Sequence, residues 1–270
     1  MTMPFERRSA PAAEPRPDSN TLAREVVRGL TSNPKTLPPK LFYDARGAEL
    51  FEQISELPEY YLTRAELEIL RARSGEIAEL AGPHAALIEY GSGAGVKIRL
   101  LLNALESPAA YVPIDISREQ LARVAGELAA EYPAVDVRPL NADYTMPLTL
   151  PPLGEGSRRL AFFPGSTIGN FHPMEASIFL RRVRRTVGKS GALVLGVDRR
   201  KRAGILDAAY DDAAGVTAAF NLNMLTRINR ELDADFDLDR FAHRAYFHSK
   251  ASRVEMHVVS LAAQTVRERV

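Results

Sequence analysis

Glu89-Tyr90-Gly91-Ser92-Gly93-Ala94-Gly95 is the stretch that decides the fold. It closes the apolar run Ala86–Glu89 and leads into a helical pattern near Ile98–Leu105. Glycines between a strand and a helix let the backbone turn tightly and approach a ligand. The next apolar run, Tyr111–Ile114, ends in Asp115. Asp115 follows Gly93 by about the 20 residues that separate a glycine loop from a carboxylate on ribose hydroxyls. Three further runs continue the series, Val135–Leu140, Leu160–Phe163 and Leu193–Val197, with helical patterns at Leu121–Leu128 and Ile178–Val187. This alternation predicts an α/β fold around a parallel, doubly wound sheet. Ligands of such sheets bind at the carboxyl ends of the strands.

Before this unit, residues 1–20 read as a disordered tail rich in Pro, Ala, Arg and Glu, without a secretory h-region. Leu22, Val26, Val27 and Leu30 recur at helical spacing, and Gly29 or Thr31-Ser32-Asn33-Pro34 ends that helix. Pro38-Pro39 forces an extended segment. Asp44 is placed to cap a helix whose Leu50, Phe51, Ile54 and Leu57 share a face. Thr63-Arg64-Ala65-Glu66 reads as a capping box for a helix to about Leu80. Tyr43, Tyr60 and Tyr61 fall in the flanking loops, where tyrosines commonly serve as packing.

Composition narrows the chemistry. The 270 residues are enough for a substantial core. The chain has no Cys, which removes disulfides, thiolate metal sites and thiol catalysis. A net charge of +1 lacks the basic excess of most nucleic-acid binders. The clusters Arg181-Arg182, Arg184-Arg185 and Arg199-Arg200-Lys201-Arg202 read as solvated faces. No apolar run approaches a membrane span. His243 and His248 point to opposite faces of one strand, and His172 and His257 lack ligand partners, so no metal site is expected. A soluble, cytoplasmic monomer without nucleic-acid or membrane partners is the expectation.

The glycine spacing separates two nucleotide classes. A dinucleotide loop needs a third glycine where this chain has Val96 or Arg99. The Glu-x-Gly-x-Gly-x-Gly pattern instead resembles motif I of class I S-adenosylmethionine-dependent methyltransferases. In that class the loop holds the methionine part of the donor and the acidic residue after the second strand holds the ribose. Asn141-Ala142-Asp143-Tyr144 follows the third strand, where such enzymes hold the adenine amino group. Asp143 is the candidate acceptor, with Tyr144 beside the ring; a turn or cap is the other common use of such an Asp.

Longer motifs narrow the class. Leu37-Pro38-Pro39-Lys40-Leu41-Phe42-Tyr43-Asp44 and Leu57-Pro58-Glu59-Tyr60-Tyr61-Leu62-Thr63-Arg64 resemble the histidine-specific Nα-methyltransferases of ergothioneine biosynthesis. So do Phe163-Pro164-Gly165-Ser166-Thr167-Ile168-Gly169-Asn170-Phe171, Ala208-Ala209-Tyr210-Asp211-Asp212 and Phe220-Asn221. The resemblance implies a Rossmann-like, class I methyltransferase domain at 66–198. It also implies a second, α+β substrate domain built from 21–65 and 199–270. Helices carrying Tyr210 and Val216–Leu232 would precede a strand pair, Phe241–Phe247 and Val254–Ser260.

Carried over residue by residue, the donor site would contain Gly91, Gly93, Lys97, Asp115, Asp143 and Tyr144. Lys97 would meet the donor's carboxylate, although a lone helix lysine is more often solvated. The amino-acid site would contain Tyr60, Asn170 and Tyr210, with Met256 at the side-chain pocket or in the core. Tyr43 would lie close to the reacting amine. The implied reaction is in-line transfer of methyl from S-adenosylmethionine to the α-amino group of L-histidine, repeated to the trimethyl betaine, hercynine. Tyr43 or a water would take the proton. Family members run several dozen residues past the position of Val270, through a segment whose acidic residue and serine grip the imidazole. Its absence here leaves two alternatives, a methyltransferase for another amino acid or amine and a donor-binding remnant without activity.

Overall fold

The computed structural model describes residues 19–153 and 157–267, so most of the tail read at 1–20 lies outside the described residues. Five parallel strands form the main ladder: β1 (Ala86–Tyr90), β2 (Ala110–Asp115), β3 (Asp136–Val137), β5 (Arg159–Phe163) and β6 (Ala192–Leu195). Their order is β3-β2-β1-β5-β6, and the short β4 (Leu140–Asn141) also pairs with β2. The chain therefore winds outward from β1 in both directions. The crevice at this switch in strand order opens above β1, between the loops that follow β1, β2 and β5.

Strand alternation sends neighbours to opposite faces. Leu87, Tyr111, Leu160 and Phe162 pack with α3 (Tyr61–Ala81), α4 (Val96–Ala104) and α5 (Arg118–Glu131). Ile88, Val112, Ala161 and Phe163 pack with Phe179 and Val183 of α6 (Pro173–Val187). Burial of both faces explains the unbroken apolar runs that marked these strands in the sequence.

A separate core unites the two ends of the chain. Val26 of α1 (Ser19–Thr31), Leu41, and Leu50 and Ile54 of α2 (Ala45–Glu56) pack on Phe220, Leu225 and Ile228 of α8 (Val216–Leu232). Asp44 caps α2, accepting from the Gly47 backbone N–H at 2.8 Å. The same carboxylate accepts from Asn223 and Arg230 of α8 at 2.8 and 2.7 Å, which fixes the early segment on the late helix. A hairpin of β7 (Phe241–His248) and β8 (Arg253–Ser260) packs against α8 and α7 (Ala203–Tyr210). No helix among the described residues is long and apolar enough to cross a membrane.

The structure corrects three local readings. Val135–Leu140 is two short strands, because Pro139 offers no N–H to the ladder. Val27 is exposed, and the buried stripe of α1 runs through Ala23, Val26 and Gly29. Thr63-Arg64-Ala65-Glu66 is no capping box. The helix begins two residues earlier, at Tyr61, and Glu66 bonds elsewhere.

Candidate active site

The loop after β1 is organised by Asp115. Its carboxylate accepts from the Gly93 N–H at 3.1 Å and the Ser117 N–H at 2.9 Å, and the residue is 9% exposed. Burial raises its pKa against the pull of these bonds. Gly91 sits at φ +74°, where side chains are disfavoured, and the Tyr144 ring lies over it. Ser92 and Ser117, both buried, have hydroxyls without a hydrogen-bond partner among the described residues. Behind the loop, Glu89 is buried and accepts from the Tyr111 hydroxyl. Burial pushes its carboxyl up to about 8.

Asp143 stands at the next strand end. It accepts from Thr145 N–H at 2.9 Å and from its hydroxyl at 2.5 Å, and forms an ion pair with Lys40 at 2.9 Å. Burial alone would raise its carboxyl, but Thr145 and Lys40 together hold it below the ordinary carboxylate range. A turn bond and an ion pair thus share the two oxygens of one side chain. These residues fit an adenosyl donor. The glycines put no side chain on the loop, the buried Asp115 carboxylate bonds its backbone, two buried hydroxyls lack a partner among the described residues, and Asp143, held ionised, follows the neighbouring strand β4.

A cavity lies where the early and late segments of the chain meet. It is lined by Tyr43, Phe51 and Tyr60 from the early segment, by the loop Gly165–Asn170, and by Tyr210, Thr217, Phe220 and Met256 from the late one. Tyr60, Asn170, Tyr210 and Met256, far apart in sequence, therefore meet around a single space. Tyr60 and Tyr210 pack edge to face at 5.9 Å. Burial pushes the Tyr210 hydroxyl up to about 12 and Tyr60 well above its ordinary value. Gly165 and Ser166 both adopt left-handed backbone, at φ +77° and +57°. Such geometry is costly for serine and marks a loop held by its surroundings. Here the Ser166 hydroxyl accepts from the Asp198 N–H at 3.0 Å.

Tyr43 sits where the halves meet. It packs against Phe51 and Phe220 at 5.8 and 5.9 Å, and its hydroxyl feels the charge of Asp115 and the neighbouring Tyr210. Burial is the main cause of its strongly raised pKa. Lys97, the second residue of α4, forms an ion pair at 2.6 Å with Glu66 of α3. Behind Tyr210, His243 Nε2 meets the Tyr210 carbonyl at 2.9 Å, and Asn221 meets His243 Nδ1 at 2.9 Å.

Sequence reasoning missed several of these residues. Phe51 carries only a core-like apolar signal, and Phe220 stands in the Phe220-Asn221 motif with no role attached to it. Thr217 carries none. Glu66 was visible but assigned to the start of its own helix. Lys40 stands within the Leu37–Asp44 motif, with nothing in its neighbours to indicate a partner 103 residues away.

A family model described as "Histidine-specific methyltransferase, SAM-dependent" matches residues 22–270. A histidine N-alpha-methyltransferase of Mycolicibacterium smegmatis is 46% identical over 253 residues, covering 92% of this chain and 78% of that protein. The ergothioneine biosynthesis protein 1 of Neurospora crassa is 34% identical over 201 residues, covering 73% of this chain and 23% of that protein. Among solved structures, the CcbJ methyltransferase of Streptomyces caelestis aligns with a TM-score of 0.41 and 17% identity, covering 74% of this chain and 70% of that one.

Proposed function

This chain belongs to the S-adenosylmethionine-dependent, histidine-specific methyltransferases, and on that premise we propose that it methylates the α-amino nitrogen of L-histidine in ergothioneine biosynthesis. The observation that carries the acceptor half is the convergence of Tyr43, Tyr60, Asn170, Tyr210 and Met256 on one cavity, with Tyr43 within reach of the charge of Asp115. We assign donor binding to Gly91, Gly93, Lys97, Asp115, Asp143 and Tyr144. We assign acceptor binding to Tyr60, Asn170, Tyr210 and Met256, within a substrate domain of residues 21–65 and 199–270. A cytoplasmic monomer acting on a free amino acid completes the proposal.

The donor supplies an electrophilic methyl group on a sulfonium, so the chain's task is orientation and exclusion of water. Asn170 offers a donor and an acceptor to the amino-acid head group, and the Tyr210 hydroxyl donates to its carboxylate. The attacking amine must be neutral, whereas a free α-amino group titrates near about 8. Tyr43 is no base in this setting. Its raised pKa keeps the hydroxyl protonated, so its oxygen orients the amine by accepting from an amine N–H, which leaves the nitrogen lone pair free for the methyl group and the proton to water. Tyr43, Phe51, Tyr60 and Phe220 also line the cavity with aromatic rings. Ring faces attract methylated ammonium groups, which supports three successive transfers.

The test is to incubate the protein with S-adenosylmethionine and each of the twenty amino acids and to follow mass. Gains of one, two and three methyl groups on histidine alone are expected. Gains on another amino acid and none on histidine would refute the substrate assignment.

A further inference from the structure

Glu66 belongs to neither half of the site as described, yet it touches both. Its side chain is 16% exposed and lies 2.6 Å from Lys97 Nζ. Its two oxygens each lie 2.9 Å from the backbone N of Gly165, the residue that opens the acceptor loop. The surrounding chain is shaped for this carboxylate. A Cβ on Gly196, just past β6, would overlap Glu66 Oε1. A Cβ on Gly165 would crowd Lys97 Nζ and the Thr167 hydroxyl at 3.4 and 3.3 Å. Two glycines on different loops thus open room for one ion pair. The charge of Glu66 also reaches Tyr60 on the acceptor side and Glu89 on the donor side.

We propose that Glu66 is a positioning residue that locks the donor-side lysine and the acceptor loop into one frame; this rests on the donor and acceptor reading above. Lysine has a flexible four-carbon stem whose ordering opposes binding. Glu66 orders it in advance. The same carboxylate pins Gly165 N and so fixes the turn from which Asn170 faces the cavity. In-line transfer requires the reacting atoms at about 3–3.5 Å and aligned, and a small misplacement costs about 10²-fold in rate. A single carboxylate gripping both partners therefore governs their relative placement.

Glu66→Gln keeps an oxygen for the Gly165 N–H and loses the ion pair; Glu66→Ala loses both. Binding of S-adenosylhomocysteine is measured by calorimetry for the wild type, Glu66→Gln, Lys97→Met and the double variant, and kcat on histidine for the wild type and both Glu66 variants. Glu66→Gln is expected to weaken binding about tenfold in the wild-type background, the scale of one charge-assisted bond, with no further loss beside Lys97→Met. Glu66→Ala is expected to lower kcat about tenfold below Glu66→Gln, the share of the Gly165 arm. Equal losses from Glu66→Gln in both backgrounds would overturn the proposal, as would values within about twofold of wild type throughout. Should Glu66→Ala not fold, the glutamine cycle decides alone. A wild type that binds no S-adenosylhomocysteine would overturn the donor reading itself, a result distinct from failure of the Glu66 step.

Discussion

Replacing Asp115 by Asn probes the donor loop with the smallest change of shape. The carboxylate receives two backbone N–H groups, from Gly93 at 3.1 Å and Ser117 at 2.9 Å. An amide still accepts one of them but turns its NH2 toward the other. Toward the ribose hydroxyls proposed to bind Asp115, the loss is one charge-assisted bond, about 1.5–3 kcal/mol, and within the loop the clash leaves one N–H donor unpaired. At about 1.4 kcal/mol per tenfold, donor affinity falls about 10–150-fold. Stability falls less than affinity, because burial already opposes ionisation of Asp115 and the amide carries no charge to bury. Calorimetric titration with S-adenosylhomocysteine, paired with thermal unfolding, separates the two effects. A variant that unfolds like the wild type and binds within about threefold of it would refute the placement of the donor site.

Three further outcomes follow from the same geometry. Glu89 has a carboxyl raised from 4.5 to about 8 by burial, so the folded state holds its proton more tightly than the unfolded chain. Its contribution to stability is complete below 4.5 and is lost as pH rises through about 8; Glu89→Gln should flatten that decline in melting temperature, and an unchanged decline would remove Glu89 as its source. Asn170→Ala should raise KM for histidine about tenfold and leave S-adenosylhomocysteine affinity unchanged; weakened donor binding would contradict its place on the acceptor side. Lys40→Met breaks the pairs to Glu25 and Asp143 at 2.7 and 2.9 Å. It should lower stability by about 1 kcal/mol and weaken donor binding, and denaturant titration with calorimetry would show whether either effect is missing.

The sequence revealed what depends on local pattern. The apolar runs at 86–89, 111–114 and 160–163 are strands because a parallel sheet covered on both faces requires continuous apolar side chains. The glycines at 91, 93 and 95 announce a backbone with positive φ, and all three have it. What the pattern could not carry is partnership. Glu66 sits three residues after a threonine, which is the signature of a capping box, but Tyr61 opens the helix and turns Glu66 toward Gly165. Phe51 looks identical to its core neighbours Leu50 and Ile54, since periodicity reports the buried face and not the cavity within it. The join between Asp44 and α8 spans more than 170 residues, and its charge partners are common surface residue types.

On the proposed function, methyl groups go to the α-amino nitrogen of histidine. Reaction with methyl-labelled S-adenosylmethionine, followed by fragmentation of the product in a mass spectrometer, locates each methyl directly. Up to three labelled methyl groups are expected, all lost with the α-nitrogen as trimethylamine. Label retained on the imidazole fragment would contradict it.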